Sequence, residues 1–323
     1  MPLASKPSIP SGGSTRRGIA ARAACDRMTN TESEPGASTC ARLPDLALSL
    51  IEITGEDRLD WLQGQATNDL RGMSIGERRS FCLCQATGQI VAVCDLWNQP
   101  DRFLLVTETE AAMDVMKRVE TMVILEDVVA RDLTPDYSLV NLVGPGAEPP
   151  KSPEAIVLKN ERLGQPALDI WQRTGQADPY ANIPTLMGED YEIARIESRT
   201  PKRGVDYTNK TLPPELGPDF ETRHVSYNKG CYMGQEVLMR IHSRGHTNKT
   251  WVGLILDEPV QPGAKVSHAS REDAGAVTSA AISPRFGPIA SAMLRNEAAV
   301  EGAEVSIGAI KGTVRSLPLI QTR

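Results

Sequence analysis

Aromatic residues are scarce in this chain: 4 Trp, 6 Tyr and 4 Phe make up only 4% of 323 residues. Its cores must therefore rest on Leu, Val, Ile, Ala and Met. Long apolar runs are missing as well, and nothing approaches the ~20 residues needed to cross a bilayer as a helix, which excludes an integral helical membrane protein. No secretory apolar core precedes the six cysteines, Cys25, Cys40, Cys82, Cys84, Cys94 and Cys231, and they lack the spacing of a disulfide scaffold. A reducing compartment is expected. Positive charge is not in excess either: the net charge is −6, which argues against stable binding of nucleic acid in general. Finally, the first 24 residues hold Lys6, Arg16, Arg17 and Arg22 but no acid. A transit peptide would share that composition. The absence of a clear amphipathic helix favours a disordered basic extension over residues 1–42, with Met28 a second candidate start.

What is present is an ordinary globular composition, 40% apolar and 24% charged, in a chain long enough for two or three domains. Residues 46–53 read as a strand, and Thr54 as the N-cap of a helix containing Leu59, Trp61 and Leu62. Residues 79–84 and 90–97 read as two strands, and 103–106 continues the sheet. Ala112, Val115, Met116, Val119 and Met122 recur at helical spacing. The Gly/Pro-rich run 144–153 is a loop that separates two mixed halves. Past residue 250, short β-like runs at 251–256, 276–282, 289–294, 304–307 and 311–314 suggest a small antiparallel barrel.

The densest chemistry lies in Lys229-Gly230-Cys231-Tyr232-Met233-Gly234-Gln235-Glu236. Start and stop signals predict a short helix from about Gly234 to Arg244, with Gly245 beyond its end. Cys231 would precede that helix, whose unpaired N–H groups favour a thiolate, and Lys229 would add a second activating charge. A buried cysteine in a tight glycine turn is the competing local reading.

This octapeptide resembles the K-G-C-[YF]-x-G-Q-E signature of the folate-binding YgfZ family, relatives of the glycine-cleavage T-protein, GcvT. Three further blocks resemble the family in the same order: 61–69 (WLQGQATND), 204–208 (GVDYT) with 212–215 (LPPE), and 277–284 (VTSAAISP). Together they cover about residues 43–317. The resemblance implies an α+β chain, a GcvT-like three-domain ring with two mixed α/β domains and a C-terminal antiparallel β-barrel. The domains would be residues 43–144, with room for later segments to complete part of it, 145–248 with the cysteine motif, and 249–323. It also implies a tetrahydrofolate cofactor in a central channel, with Glu215 as pterin anchor, Asn68 as a further cofactor contact, and Tyr232 and Gln235 shaping the site.

By the same resemblance the chain is a tetrahydrofolate-binding accessory factor that assembles, maintains or repairs iron–sulfur enzymes, a tRNA-modifying methylthiotransferase among them. Cys231 would be its functional thiol and Lys229 the activator. Its partners would be folate and iron–sulfur enzymes or cluster-assembly proteins, and it would act as a monomer. The compartment would be the cytoplasm of a bacterium, or the mitochondrial matrix of a eukaryote. Two alternatives stay open: a one-carbon transferase of T-protein type, and a folate-binding module without thiol chemistry. The T-protein pattern G-G-x-x-D-D falls on residues 88–93, which puts Ala92 and Val93 where the carboxylates belong. Neither can move a proton, so a conventional transferase is disfavoured. Asp95 lies two residues on, sharing Val93's strand face but ~6–7 Å further along. Arg199 is the other departure, since it stands where the family usually has a glycine.

Rival sites read as architecture. Cys82 and Cys84 share a strand face and lack a fourth ligand near Cys94, so core packing is expected. His242 and His246 are separated by the helix-ending Gly245 and read as solvated. A His224–Cys231 pair would lack an orienting residue. Lys229, Arg240, Arg244 and Lys249 form either a solvated face or a patch for an anion such as a polyglutamate tail or an RNA backbone.

Overall fold

The computed structural model describes residues 40–319. The expected basic extension therefore lies outside the described residues, apart from its last three positions. The first sheet is built from β2 (Leu48–Thr54), β3 (Arg78–Cys84), β4 (Ile90–Asn98), β5 (Phe103–Glu108) and β6 (Val129–Asp132), in the order β3-β4-β5-β2-β6. On one face, Ile51, Phe81, Leu83, Ala92, Cys94 and Leu105 pack under α1 (Arg58–Gln63) and α2 (Thr109–Met122). Each such side chain contributes ~1.5–3 kcal/mol by leaving water. The cap of α1 is Asp57 rather than the expected Thr54.

A second sheet, ordered β1-β7-β9-β8, comprises β1 (Ala41–Arg42), β7 (Tyr137–Val143), β8 (Ile156–Arg162) and β9 (Gln165–Arg173). It docks on the other face of the first, where Leu50, Trp97, Leu104 and Val106 meet Leu158 and Trp171. The Trp97 indole N–H donates to the Lys159 carbonyl across this junction (3.0 Å). Two expected boundaries move as a result. β7 pairs with β9, so the 144–153 loop lies inside the second sheet and not between domains. Ala41 and Arg42 pair with Val143 and Leu142, so they belong to the fold and not to the extension.

After α3 (Glu189–Glu197) the chain returns to the first sheet through a 3-10 turn (Pro213–Leu216), α4 (Pro218–His224) and α5 (Gln235–Arg244). Tyr207, Leu216, Phe220, Tyr232 and Leu238 cover Cys82, Cys84 and Ile90. The motif segment is thus part of the first sheet's cover. It is a later segment, from within residues 145–248, that helps complete the first sheet's domain.

The remaining strands are β10 (Lys249–Leu256), β11 (Lys265–His268), β12 (Arg271–Ser283), β13 (Gly287–Arg295), β14 (Glu304–Ile307) and β15 (Ile310–Arg315). They close an antiparallel barrel in the order β10-β13-β12-β11-β14-β15, with β10 pairing β15. The α+β class and the terminal barrel are as expected. Within the barrel, β11 is the strand that the sequence pattern did not reveal.

Candidate functional site

The blocks that carry the resemblance meet in pairs. Lys229 is buried, and its ammonium donates to the carbonyls of Gln63 (2.7 Å), Ala66 (2.6 Å) and Asn68 (2.9 Å). The 61–69 block is thereby stapled to the cysteine motif. Thr67 Oγ1 donates to the His224 carbonyl (2.6 Å), and the Met233 N–H to the Gly64 carbonyl (3.2 Å). Asp206, from the 204–208 block, accepts hydrogen bonds at Oδ1 from Thr278 (2.5 Å), Ser279 (3.1 Å) and Ser291 (3.0 Å) of the barrel. Its other oxygen pairs with the fully buried Arg195 (2.5 Å). Much of the signature is therefore architecture.

Site residues named from the sequence scatter accordingly. Cys231 is exposed, on an irregular segment four residues before the first residue of α5. Lys229 has all three of its protons on backbone carbonyls, which leaves none for the Cys231 sulfur; burial pulls its pKa down to about 8. Asn68 is a clamp: its amide donates to the carbonyls of Ser80 (2.8 Å) and Arg223 (2.9 Å), and its oxygen accepts from the Asp69 N–H (2.9 Å). Tyr232 is buried beneath the Lys229 ammonium, 5.1 Å from the ring centroid, with its hydroxyl unpartnered. Gln235 is half-buried at the start of α5. Glu215 accepts from the Leu212 N–H (3.0 Å) and faces Lys249 at 3.8 Å; burial raises its pKa. It lines a 390 Å³ pocket at the barrel mouth.

A cavity of about 840 Å³ lies elsewhere among the described residues, and none of those six residues lines it. Its volume falls within the range of pockets that enclose small-molecule ligands. It opens on the face of the first sheet between the second sheet and the motif segment, with Val93, Glu108, Arg162, Arg203, Tyr207 and His224 among its walls. Val93 faces it, whereas Ala92 is fully buried under the helices on the opposite face. Tyr207 donates its hydroxyl to Glu108, whose second oxygen is buried without a partner. Burial raises the Glu108 pKa against that hydrogen bond. Asp95 accepts from the Ser80 hydroxyl and faces Arg78 (3.8 Å); burial opposes its charge, but Arg78 and Ser80 hold the pKa below the ordinary value.

The rival clusters dissolve. Cys82 and Cys84 lie in the core beneath the motif segment, and Cys94 lies in the core on the opposite face, so one metal cannot gather them. His224 is buried, stacked on Phe220 (3.9 Å), and its Nδ1–H donates to the Phe220 carbonyl (2.8 Å), while Cys231 is exposed. His242, expected to be solvated, stacks on Tyr227 at 3.7 Å from the surface of α5. The basic patch splits as well: Lys229 is buried and Lys249 faces Glu215, so Arg240 and Arg244 alone remain exposed on α5. Sequence reasoning missed Glu108 and Tyr207. Their signal was the register of β4 against β5, which composition does not carry.

Comparison with known proteins accords with this architecture. Residues 43–149 match the GCVT N-terminal domain, and 249–320 the glycine cleavage T-protein C-terminal barrel domain, together more than half of the chain. Among curated relatives, the tRNA-modifying protein YgfZ of Colwellia psychrerythraea is 23% identical, over 72% of this chain and 79% of its own. The iron-sulfur cluster assembly factor IBA57 homolog of Mycosarcoma maydis is 22% identical, over 73% and 60%. The aminomethyltransferase of Bacillus subtilis is 24% identical, over 86% of both. Matches to the first curated relatives span about two thirds of their length. The crystal structure of the glycine cleavage system aminomethyltransferase T from Bartonella henselae superposes with a TM-score of 0.74 at 19% identity, covering 88% of this chain and 87% of that one. The chain belongs to the glycine-cleavage T-protein family.

Proposed function

We propose that this chain is a tetrahydrofolate-binding accessory factor for the assembly, maintenance or repair of iron–sulfur enzymes, a tRNA-modifying methylthiotransferase among them. The observation that carries the reading is the pairing of an exposed Cys231, within the YgfZ-type octapeptide, with a T-protein cavity lacking the T-protein carboxylate. The names of the YgfZ and IBA57 relatives support the iron–sulfur and tRNA themes. The cavity's volume, its basic walls at Arg162 and Arg203, and the unpartnered Glu108 oxygen fit a folate, which is an N–H-rich ring with an anionic tail. Bound there, tetrahydrofolate would supply one-carbon chemistry at N5 and N10. The chain's part is to hold the ring and keep water from it.

Cys231 is the functional thiol in this reading. The Lys229 staple fixes the turn that presents it, and the iron–sulfur client is its partner. The factor acts as a monomer in the cytoplasm or the mitochondrial matrix. The test is restoration of iron–sulfur enzyme activity in a strain deleted for the factor. Cys231→Ser should fail to restore it at wild-type protein levels. Full restoration by that variant would leave a folate-binding module without thiol chemistry. Aminomethyl transfer is the second reading, kept open by the Bacillus relative. Val93 weighs against it, because a valine on the cavity wall moves no proton.

A further inference from the structure

We propose that the turn between α2 and β6 is a docking knob for the client protein: two aliphatic side chains, Ile124 and Leu125, inside a ring of carboxylates, shaped for an apolar pocket rimmed by lysines and arginines. The inference rests on the accessory-factor reading and names the surface by which the client is held. Leu125 is 95% exposed and Ile124 82%. Met122 and Val129, on either side of them along the chain, are exposed as well. An apolar patch with a polar rim marks an interaction surface. The backbone fixes this one outward. Glu126 Oε2 accepts from the Ile124 N–H (2.9 Å) and the Leu125 N–H (3.1 Å). The Asp57 carboxylate accepts from the Asp127 N–H (2.8 Å), and the Asp127 carboxylate from the Glu56 N–H (2.9 Å). A tip ordered before it binds gives up little further freedom on binding.

The charges around the tip select its occupant. Glu56, Asp57, Asp60, Glu120, Glu126 and Asp127 are all exposed on the segments that form or flank it. Of the cations close by, Arg58 is turned onto the Gly55 carbonyl (2.7 Å), Arg71 faces Asp60 at 3.8 Å, and Lys117 is exposed further back on α2. A second copy would bring one acidic ring against another, and an anionic membrane would repel it. A client that grips RNA phosphates carries the opposite charge. Helix α1 links the tip to the thiol. The Trp61 indole N–H donates to the Met122 carbonyl (3.4 Å) beside the tip. At the end of the same helix, Lys229 holds the Gln63 carbonyl, and the Met233 N–H donates to that of Gly64 (3.2 Å). With 6 residues, α1 spans only about 9 Å. An interface of ~800 Å² per partner is wide enough to cover both the tip and the turn that presents Cys231.

Titration of the full chain with purified, RNA-free tRNA-modifying methylthiotransferase, at low and at high salt, tests the assignment. Ile124→Ser combined with Leu125→Ser should weaken binding about tenfold or more with Tm unchanged, because both side chains lie in solvent. Asp60→Lys combined with Glu120→Lys should slow association about tenfold at low salt and flatten its salt dependence. Wild-type affinity in the serine variant, or unaltered association in the lysine variant, overturns the knob while leaving the accessory-factor reading intact. So does a wild-type chain that restores the methylthiotransferase in the deleted strain without binding it. A dimer that the serine variant splits, or adhesion to phosphatidylglycerol vesicles, gives the tip another occupant and overturns the proposal as well. A wild-type chain that restores no iron–sulfur enzyme overturns the reading itself, and the client with it.

Discussion

Lys229 and Cys231 stand two residues apart in opposite surroundings, one buried on three carbonyls and the other in solvent. Among the described residues, the three buried cysteines lie in apolar cores that disfavour the thiolate, with Cys84 pushed up to about 12. Exposure, more than Lys229, is therefore what singles out Cys231. His224 carries the residue-scale pH dependence. Burial lowers its pKa from 6.5 to about 4, against the pull of the Phe220 carbonyl and Asp95. Between those values the unfolded chain binds a proton that the folded one does not. The neutral imidazole's contribution is thus fully present above pH 6.5 and lost as pH falls towards 4, by about 3 kcal/mol. Urea titrations from pH 7 to 4 should show that slope, and His224→Gln should flatten it. An unchanged slope in the variant would assign the acid sensitivity to other groups.

At the scale of elements, the two glycines of the octapeptide separate sharply. Gly234 has φ +86° at the N-cap of α5, and a Cβ there would stand 2.6 Å from the Gln85 carbonyl oxygen. Gly230 meets nothing within 4 Å. Gly234→Ala should cost about 2–4 kcal/mol in unfolding free energy, and Gly230→Ala less than about 1. Equal costs would contradict the close packing of α5 on the β3–β4 turn. This is also where the sequence was most and least legible. Periodicity and end signals located α2, α5 and five of the six barrel strands, because each follows from local spacing. They did not reveal that Lys229 staples residues 63–68, that Asp206 gathers three barrel hydroxyls, or that Val93 faces Glu108. Those are contacts between segments far apart in sequence, and a motif does not say which of its residues hold the chain together. Arg199 shows the intermediate case. The family glycine is replaced, yet φ stays at +61°, and the guanidinium bonds the carbonyls of Leu317 (2.8 Å) and Leu216 (3.1 Å). Those bonds, in a buried setting, offset a backbone conformation that costs ~1–3 kcal/mol.

On the scale of the whole molecule, one sheet is covered three times: by two helices on one face, and by the second sheet and the motif segment on the other. The cavity is the space those last two leave between them, closed from the side by α3, α4 and the turn through Arg203. The barrel holds the arrangement through Asp206 and Arg195 instead of lining the cavity's sheet face. A valine at position 93 leaves the pocket intact, because the pocket is made by how the layers pack. The measurement that decides the matter is a crystal structure of the chain grown with 5-formyltetrahydrofolate. Its pteridine is expected inside the 840 Å³ cavity, against Val93. A pteridine seated instead beside Glu215 and Lys249 at the barrel mouth, or on the surface around Cys231, would contradict that placement.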